Sequence, residues 1–327
     1  MARKKSIEAV QETAEALAGF LGTLTLGEAQ AHENMTVFPV FTTNAQKNGY
    51  SLLDEAVKTG KFTVTEVSEG GSVPNLKVVN GLDLDVLILD GDILVGAKQN
   101  RSVTTTIIIG KGSENIINVN CVEQGRWSRK GDRFSASEQP MYSSLRAVKA
   151  RSVTKSLKED RDFTADQGAV WENIEQRDAK FRLASASYCS SVTGAADEMY
   201  RSFDDKILAY EKALPAKEGQ VGFLVVIAGK VAGCDIFGNP GVLSRVYKRG
   251  IRSYCLDAIE RSYDKAKASV GDPRRKASAF LAGLRKLSPK VFPAMGKGVN
   301  VRFESRTSVG FAALNGDQVV HMAAFQS

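Results

Sequence analysis

The chain reads as an α+β protein. A β-rich, antiparallel, sandwich-like N-terminal half is expected to pack with a mixed helix and hairpin C-terminal half. Three observations predict this. Short apolar runs fill residues 24–127, several alternating at period two, and Asp90-Gly91 sits between two of them as a hairpin signal. Helical apolar spacing is confined to residues 5–20, a short stretch at 50–59, and segments beyond 144. Strands cluster before helices instead of alternating with them, which argues against a regular parallel α/β sheet.

Taken in order, Ile7, Val10, Ala14 and Leu17 recur at helical spacing, so residues 5–20 form an amphipathic helix that Gly22 and Gly27 end. Residues 35–41 are strand-like, and Pro39 suits an edge or a bulge. A short helix at 50–59 stops at Gly60. Strands follow at 61–67, 76–80, 85–89, 93–95, 103–109 and 116–122, with turns at Gly70-Gly71 and Gly110 to Gly112. Residues 128–150 are polar and rich in Ser, Gly and Arg, which predicts a long loop or linker. Helices are expected over 144–215, clearest at 195–214, where Pro215 ends the pattern. Residues 221–228 and 231–237 make a hairpin, and Asn239-Pro240 starts a helix with a break expected at Gly250. Residues 308–325 form a last hairpin folded at Asn315-Gly316. The chain thus divides into an N-terminal helix (1–22), a β-rich half (23–128), a loop and helical segment (129–215) and an α+β half (216–327). The last is expected to pack with 23–128 as one compact unit.

Composition removes several classes. With 327 residues, 43% hydrophobic and 25% charged, the chain is neither collagen-like, disordered nor a disulfide scaffold. No run approaches the roughly 18 apolar residues of a membrane span. Glu8, Glu12 and Glu15 interrupt the N-terminal segment where a signal peptide needs an apolar centre, so a cytoplasmic location is expected. Only His32 and His321 occur, which puts a Ser-His-Asp triad or a multi-histidine zinc site nearly out of reach. Cys121, Cys189, Cys234 and Cys255 form no C-x-x-C pair. Neither a phosphate-binding P-loop nor a dinucleotide-binding G-x-G-x-x-G is found. No metal is assigned, and the cofactor is left open. The net charge of +7 concentrates in residues 261–290, where nine basic side chains meet only Asp264 and Asp272. That stretch reads as two solvated helices, with nucleic-acid binding as a lesser alternative.

Two polar strings could carry chemistry. Lys98, Gln99, Asn100 and Arg101 lie between two apolar strands. Their cations suit a phosphate or carboxylate, and the amides could read a base, ribose or amide. An exposed strand end is the plain alternative. The second string runs from Cys121 to Trp127. Glu123 beside Arg126 could act as general acid or base, Gln124 lies in the same string, and Trp127 could stack on a base. A structural Glu123–Arg126 pair is the competing reading. His321 shares a strand face with apolar neighbours. A buried structural role is expected there, and a general base serving Glu123 is the functional alternative.

The string from Leu89 to Arg101, with Cys121 to Trp127, Ser253 to Asp257 and His321 to Phe325, resembles the "ARG and rhodanese-phosphatase-superfamily-associated protein domain" family of prokaryotes. The resemblance covers most of residues 20–325. With ARG taken as ADP-ribosylglycohydrolase, it implies a setting of ADP-ribose, nucleotide or phosphate metabolism, or of prokaryotic defence, and it supplies no catalytic residues. The expected function is binding or processing of an ADP-ribose-like or nucleotide-like phosphorylated small molecule. A non-catalytic oligomeric scaffold or partner-binding protein is the alternative. Nucleic acid and membrane are not the expected partners, and a homo-oligomer is compatible with the chain.

Overall fold

The computed structural model describes residues 2–326, apart from 48, 69–71, 98, 124–129, 160, 186–187, 189–195 and 265–270; the side chains of 2–7, 97 and 130–132 are also outside the description. The chain begins with α1 (Ala2–Gly22), β1 (Leu24–Leu26), β2 (Gln30–His32), β3 (Met35–Thr42), β4 (Ser51–Leu52) and α2 (Leu53–Lys58). A strand-rich stretch follows: β5 (Phe62–Glu66), β6 (Asn75–Asn80), β7 (Val86–Ile88), β8 (Ile93–Ala97), β9 (Arg101–Val103), β10 (Ile107–Ile109), β11 (Glu114–Cys121) and β12 (Lys130–Ala136). Helices α3 (Ser143–Lys158), α4 (Gln167–Ala184), α5 (Ala196–Ser202) and α6 (Asp204–Ala213) come next. The chain ends with β13 (Gly222–Ile227), β14 (Lys230–Phe237), α7 (Pro240–Ser262), α8 (Pro273–Leu284), β15 (Lys290–Pro293), β16 (Val299–Glu304), β17 (Ser308–Asn315) and β18 (Gln318–Gln326). This is the α+β class that the sequence predicts.

The largest sheet runs β1-β3-β13-β14-β18-β17-β16-β15, with β2 also on β3. One face packs on α1 and α8 through Leu17, Phe20, Leu281 and Leu284. The other face, carrying Phe223, Val225, Phe311 and Phe325, lies under α3, α4, α6 and α7. A six-stranded sheet runs β12-β8-β9-β11-β6-β5, and its end strands come back against one another. The small sheet β10-β7-β4 completes the third core and includes one parallel pair, β4 with β7. Each buried Phe or Leu contributes about 2–3 kcal/mol by leaving water.

Local signals explain the clearest helix ends. Asn239 accepts the Gly241 N–H and Pro240 opens α7. Asp166 and Asp272 cap α4 and α8 in the same way. Gly250 does not break α7. It lets the Phe223 ring lie against the helix, because a Cβ there would stand 2.7 Å from that ring.

The structure departs from the sequence reading at several further elements. Residues 128–150 are not a linker: they hold β12 and the start of α3, whose Arg146 and Lys149 are buried and paired. The expected strand 103–109 is two strands. Thr104, Thr105 and Thr106 carry the chain from the six-stranded sheet into the three-stranded one. Residues 195–214 form two helices, because Phe203 leaves helical geometry at φ −118° and ψ 19°. Residues 290–304 gave no signal, yet form β15 and β16; buried Asn300 and Arg302 hide the apolar alternation of β16. In addition, β1, β2 and β3 join the sheet of the C-terminal strands, so residues 24–42 pair with that half and not with β5–β12.

The terminal hairpin also differs in register. Asn315 pairs with Gln318, and a bulge follows between Ala313 and Leu314. Ala313, not Gly310, therefore opposes His321, and Val319 turns to the opposite face from His321, Ala323 and Phe325.

In the basic stretch, Arg274, Lys276 and Arg285 donate to the backbone carbonyls of Gly27, Gly229, Leu21 and Leu24. No described helix is long and apolar enough to cross a membrane.

Candidate functional site

The helix-covered face of the large sheet carries a polar strip. Register places Arg302, Phe311, Ala323, Asp235 and Phe223 in one cross-strand row. Asn300, Ala313, His321 and Phe237 form the row beside it. Opposite this strip, the β7–β8 turn delivers Asp90 and Asp92, and α3 delivers Arg146 and Lys149.

Arg146 is the hub. Its Nε donates to Asp90 at 2.9 Å, its two terminal nitrogens to Asp235 at 2.5 and 3.1 Å, and one of these also to Ser253 Oγ at 3.3 Å. Tyr254 donates its hydroxyl to Asp235 at 2.9 Å. Lys149 reaches Ser102 Oγ and the Val103 carbonyl, both at 2.7 Å, with Asp90 at 3.6 Å. Gly91 makes the turn possible: its φ is +85°, and a Cβ would meet Arg146 Cδ at 2.9 Å.

His321 links two of these groups. Its Nδ1 lies 2.7 Å from Thr106 Oγ1 and its Nε2 lies 3.1 Å from Asp235 Oδ1. Thr106 Oγ1 also accepts the Asp90 N–H at 3.0 Å. The neutral arrangement that satisfies every atom has Thr106 donate to Nδ1 and Nε2–H donate to Asp235. Phe237 stacks on the imidazole at 4.4 Å between centroids. A hydroxyl–imidazole–carboxylate chain thus exists despite the scarcity of histidine, but Thr106 and His321 are buried.

A small cleft opens between this network and α7. Asp90, Asp92, Arg146, Asp235, Arg249, Ser253 and His321 provide its polar lining. It has room for about two water molecules, so only the reacting end of a ligand could enter. Arg249 faces Asp92 at 3.0 Å and is the cleft guanidinium with the most solvent contact.

Burial and charge set the proton affinities. Burial raises the Asp92 carboxyl, only partly offset by Arg249, which suits a proton-holding acid. Burial would also raise Asp235, but Arg146 and His321 outweigh it and hold that carboxyl well below the usual range. Burial lowers Lys149 to about 8 against the pull of Asp90.

A second ionic cluster locks the helices together behind the cleft. Asp257 pairs with Arg177 and accepts from Ser143 Oγ at 2.5 Å. Arg177 also reaches Glu260 at 2.6 Å and lies over the Tyr142 ring at 3.9 Å.

Of the sequence-predicted residues, His321 lines this cleft, while Gln99, Asn100, Arg101 and Glu123 are not among its lining residues. Arg101 is fully buried on β9, opposite Cys121 on β11. It donates to Gln99 at 2.9 Å and to Cys121 Sγ, with Glu66 at 3.9 Å. Burial pushes the Cys121 thiol up, and Arg101 opposes this. The Asn100 carbonyl accepts the Val122 N–H. Glu123 follows two residues after Cys121, which keeps its Cα within about 13 Å of that of Arg101. Lys98, Gln124, Arg126 and Trp127 lie outside the described residues. His321 has Thr106, Asp235, Phe237 and Phe311 as its described partners; Glu123 is not among them. Sequence reasoning missed Asp92, Arg146, Lys149 and Arg249. The signal available for Asp92 was the Asp90-Gly91-Asp92 turn itself.

The profile of the family described as "ARG and Rhodanese-Phosphatase-superfamily-associated Protein domain" matches residues 23–325. No curated protein and no solved structure matches the chain.

Proposed function

The chain belongs to that family, and from this premise we propose that it binds or processes a nucleotide-like phosphorylated small molecule, ADP-ribose foremost, at the cleft of Asp92, Arg249 and His321. One observation carries the reading: acid, base and guanidinium groups converge on a single small opening. Arg249 is the group to hold a phosphate, since its planar fork suits that anion and it is the less committed of the two cleft guanidinium groups. Asp92, with its raised carboxyl, is the proton donor, and His321, engaged by Thr106 and Asp235, forms part of the cleft wall. Gln99 and Arg101, which hydrogen-bond to each other, and Glu123 further along the chain are the residues proposed to hold the remainder of a long ligand. ARG, read as ADP-ribosylglycohydrolase, supports the ADP-ribose choice, in a cytoplasmic setting of nucleotide metabolism or prokaryotic defence.

A thermal-shift series with ADP-ribose, NAD and nucleoside phosphates tests this. A ligand at 100 times its Kd stabilises by about 2.7 kcal/mol. Arg249→Ala should remove that response. No response in the parent protein, or an unchanged response in the variant, defeats the proposal.

A second reading, a non-catalytic oligomeric scaffold, is favoured by one observation. Arg146 has its guanidinium engaged by Asp90, Asp235 and Ser253, as a structural keystone would. Ligand binding without turnover of any bound nucleotide would favour it.

A further inference from the structure

Arg302 stands on β16 with its side chain fully buried, and none of its three guanidinium nitrogens has a hydrogen-bond acceptor among the described residues. Phe163 and Phe311 flank it, their ring centroids 5.6 and 5.2 Å from the guanidinium carbon. Two residues back on the same strand face, Asn300 donates to Thr105 Oγ1 at 3.2 Å, while its Oδ1 has no donor among the described residues. Asp90 is the carboxylate whose charge reaches Arg302. Asp90 is already held by Arg146 at 2.9 Å and approached by Lys149 at 3.6 Å. Three buried cations, Arg146, Lys149 and Arg302, thus draw on Asp90, while Asp235 serves Arg146 and Asp92 also acts on Lys149.

A guanidinium cannot relieve this by shedding its proton near neutral pH. Burial lowers Arg302 only to about 9, with Asp90 opposing the shift. Aromatic faces offset part of the cost of burying a charge but supply no acceptor for N–H groups. The missing partner is therefore an acceptor-rich anion, and a planar fork of donors matches a phosphate oxygen pair.

We propose that Arg302 is the base of an interior oxyanion site that takes phosphate, free or as the end of a small molecule. The site is separate from the Arg249 cleft and does not depend on the function proposed there. Helix α3 and the small cluster of Val153, Leu157 and Phe163 cover it.

The probes are inorganic phosphate and ADP-ribose, measured by equilibrium dialysis at constant ionic strength on the full chain, Arg249→Ala, Arg302→Met and Arg302→Lys. The expected result is one inorganic phosphate per chain in Arg249→Ala, that phosphate plus any held at the Arg249 cleft in the parent, and loss of one phosphate per chain, by an affinity at least tenfold weaker, in both Arg302 variants. Arg302→Met should also melt higher than the parent in phosphate-free buffer, because an uncompensated charge is gone. Where Arg302→Met does not fold, Arg302→Lys decides, since it keeps the charge and loses the fork. ADP-ribose competing with phosphate in Arg249→Ala assigns the site to a phosphorylated small molecule; phosphate alone assigns it to the free anion. Absence of phosphate binding in the parent, or binding that survives in the Arg302 variants and vanishes in Arg249→Ala, overturns the site.

Discussion

Arg146 on α3 and Asp235 on β14 meet through two hydrogen bonds of 2.5 and 3.1 Å, and this pair fastens the helical layer to the centre of the large sheet. Both are buried, so the value of each depends on the presence of the other. Breaking the pair from one side should cost about 3–5 kcal/mol, because it strands a buried charge. Urea unfolding of Arg146→Met and of Asp235→Leu should each show this loss. The double variant should recover most of it. Equal additive losses in the double variant would contradict the pairing.

Lys149 should give the protein an unusual alkaline response. Its folded value, lowered to about 8, lies below the ordinary 10.5 of a free lysine. Below pH 8 both folded and unfolded chains hold the proton, and folding bears the full cost of burying the charge. Between pH 8 and 10.5 the unfolded chain binds more protons, so this group's contribution to stability rises with pH. The unfolding midpoint of Lys149→Met, compared with the parent at pH 7.5 and 9.5, should show the variant's advantage shrinking as pH rises. An advantage independent of pH would refute the assignment.

Gly91→Ala should destabilise by about 1–3 kcal/mol, since it forces a side chain into a left-handed turn and against Arg146. Gly112→Ala is the control: its φ is +63°, but a Cβ there meets open space. Thermal midpoints should fall further for Gly91→Ala. Equal falls would mean that the Arg146 contact adds nothing.

His321→Gln and Arg249→Ala should separate stability from binding. The imidazole bridges Thr106 and Asp235 in the interior, so its replacement should lower stability by about 1–3 kcal/mol. Arg249→Ala leaves the buried Asp92 without its cation, so it too should lower the midpoint by about 1–3 kcal/mol, but it alone should lose the further shift on adding ligand. A thermally neutral His321→Gln that abolished turnover would instead make the histidine wholly functional.

What was legible in the sequence was local. Asn239-Pro240 announces α7, Asp90-Gly91 announces its turn, and the apolar runs of β13 and β14 announce a hairpin, because neighbours in sequence decide each. Helix α3 falls within the helical stretch expected over 144–215, but the burial of its Arg146 and Lys149 is hidden, because polarity reads as exposure. Arg146 and Lys149 are buried only because Asp90 and Asp235 lie 56 and 89 residues from Arg146 along the chain. The candidate site suffered likewise. Gln99 and Arg101 do meet near Cys121, since adjacent strands carry them. The partners of His321 lie on a different strand and a threonine linker, and no spacing in the sequence reveals them.

The pairing of β3 with β13 has a consequence for biosynthesis. Val40 and Gly222 are hydrogen-bonded neighbours separated by roughly 180 residues. At about 5–20 residues per second, a ribosome needs on the order of 10–40 s to make the second after the first. During that interval the apolar edge of β3 has no mate, while the six-stranded sheet, complete by residue 136, is free to form. Translation therefore imposes an order on assembly. The nascent chain must keep β3 shielded until β13 emerges, and a cell short of chaperone capacity should lose this protein at that stage rather than after release.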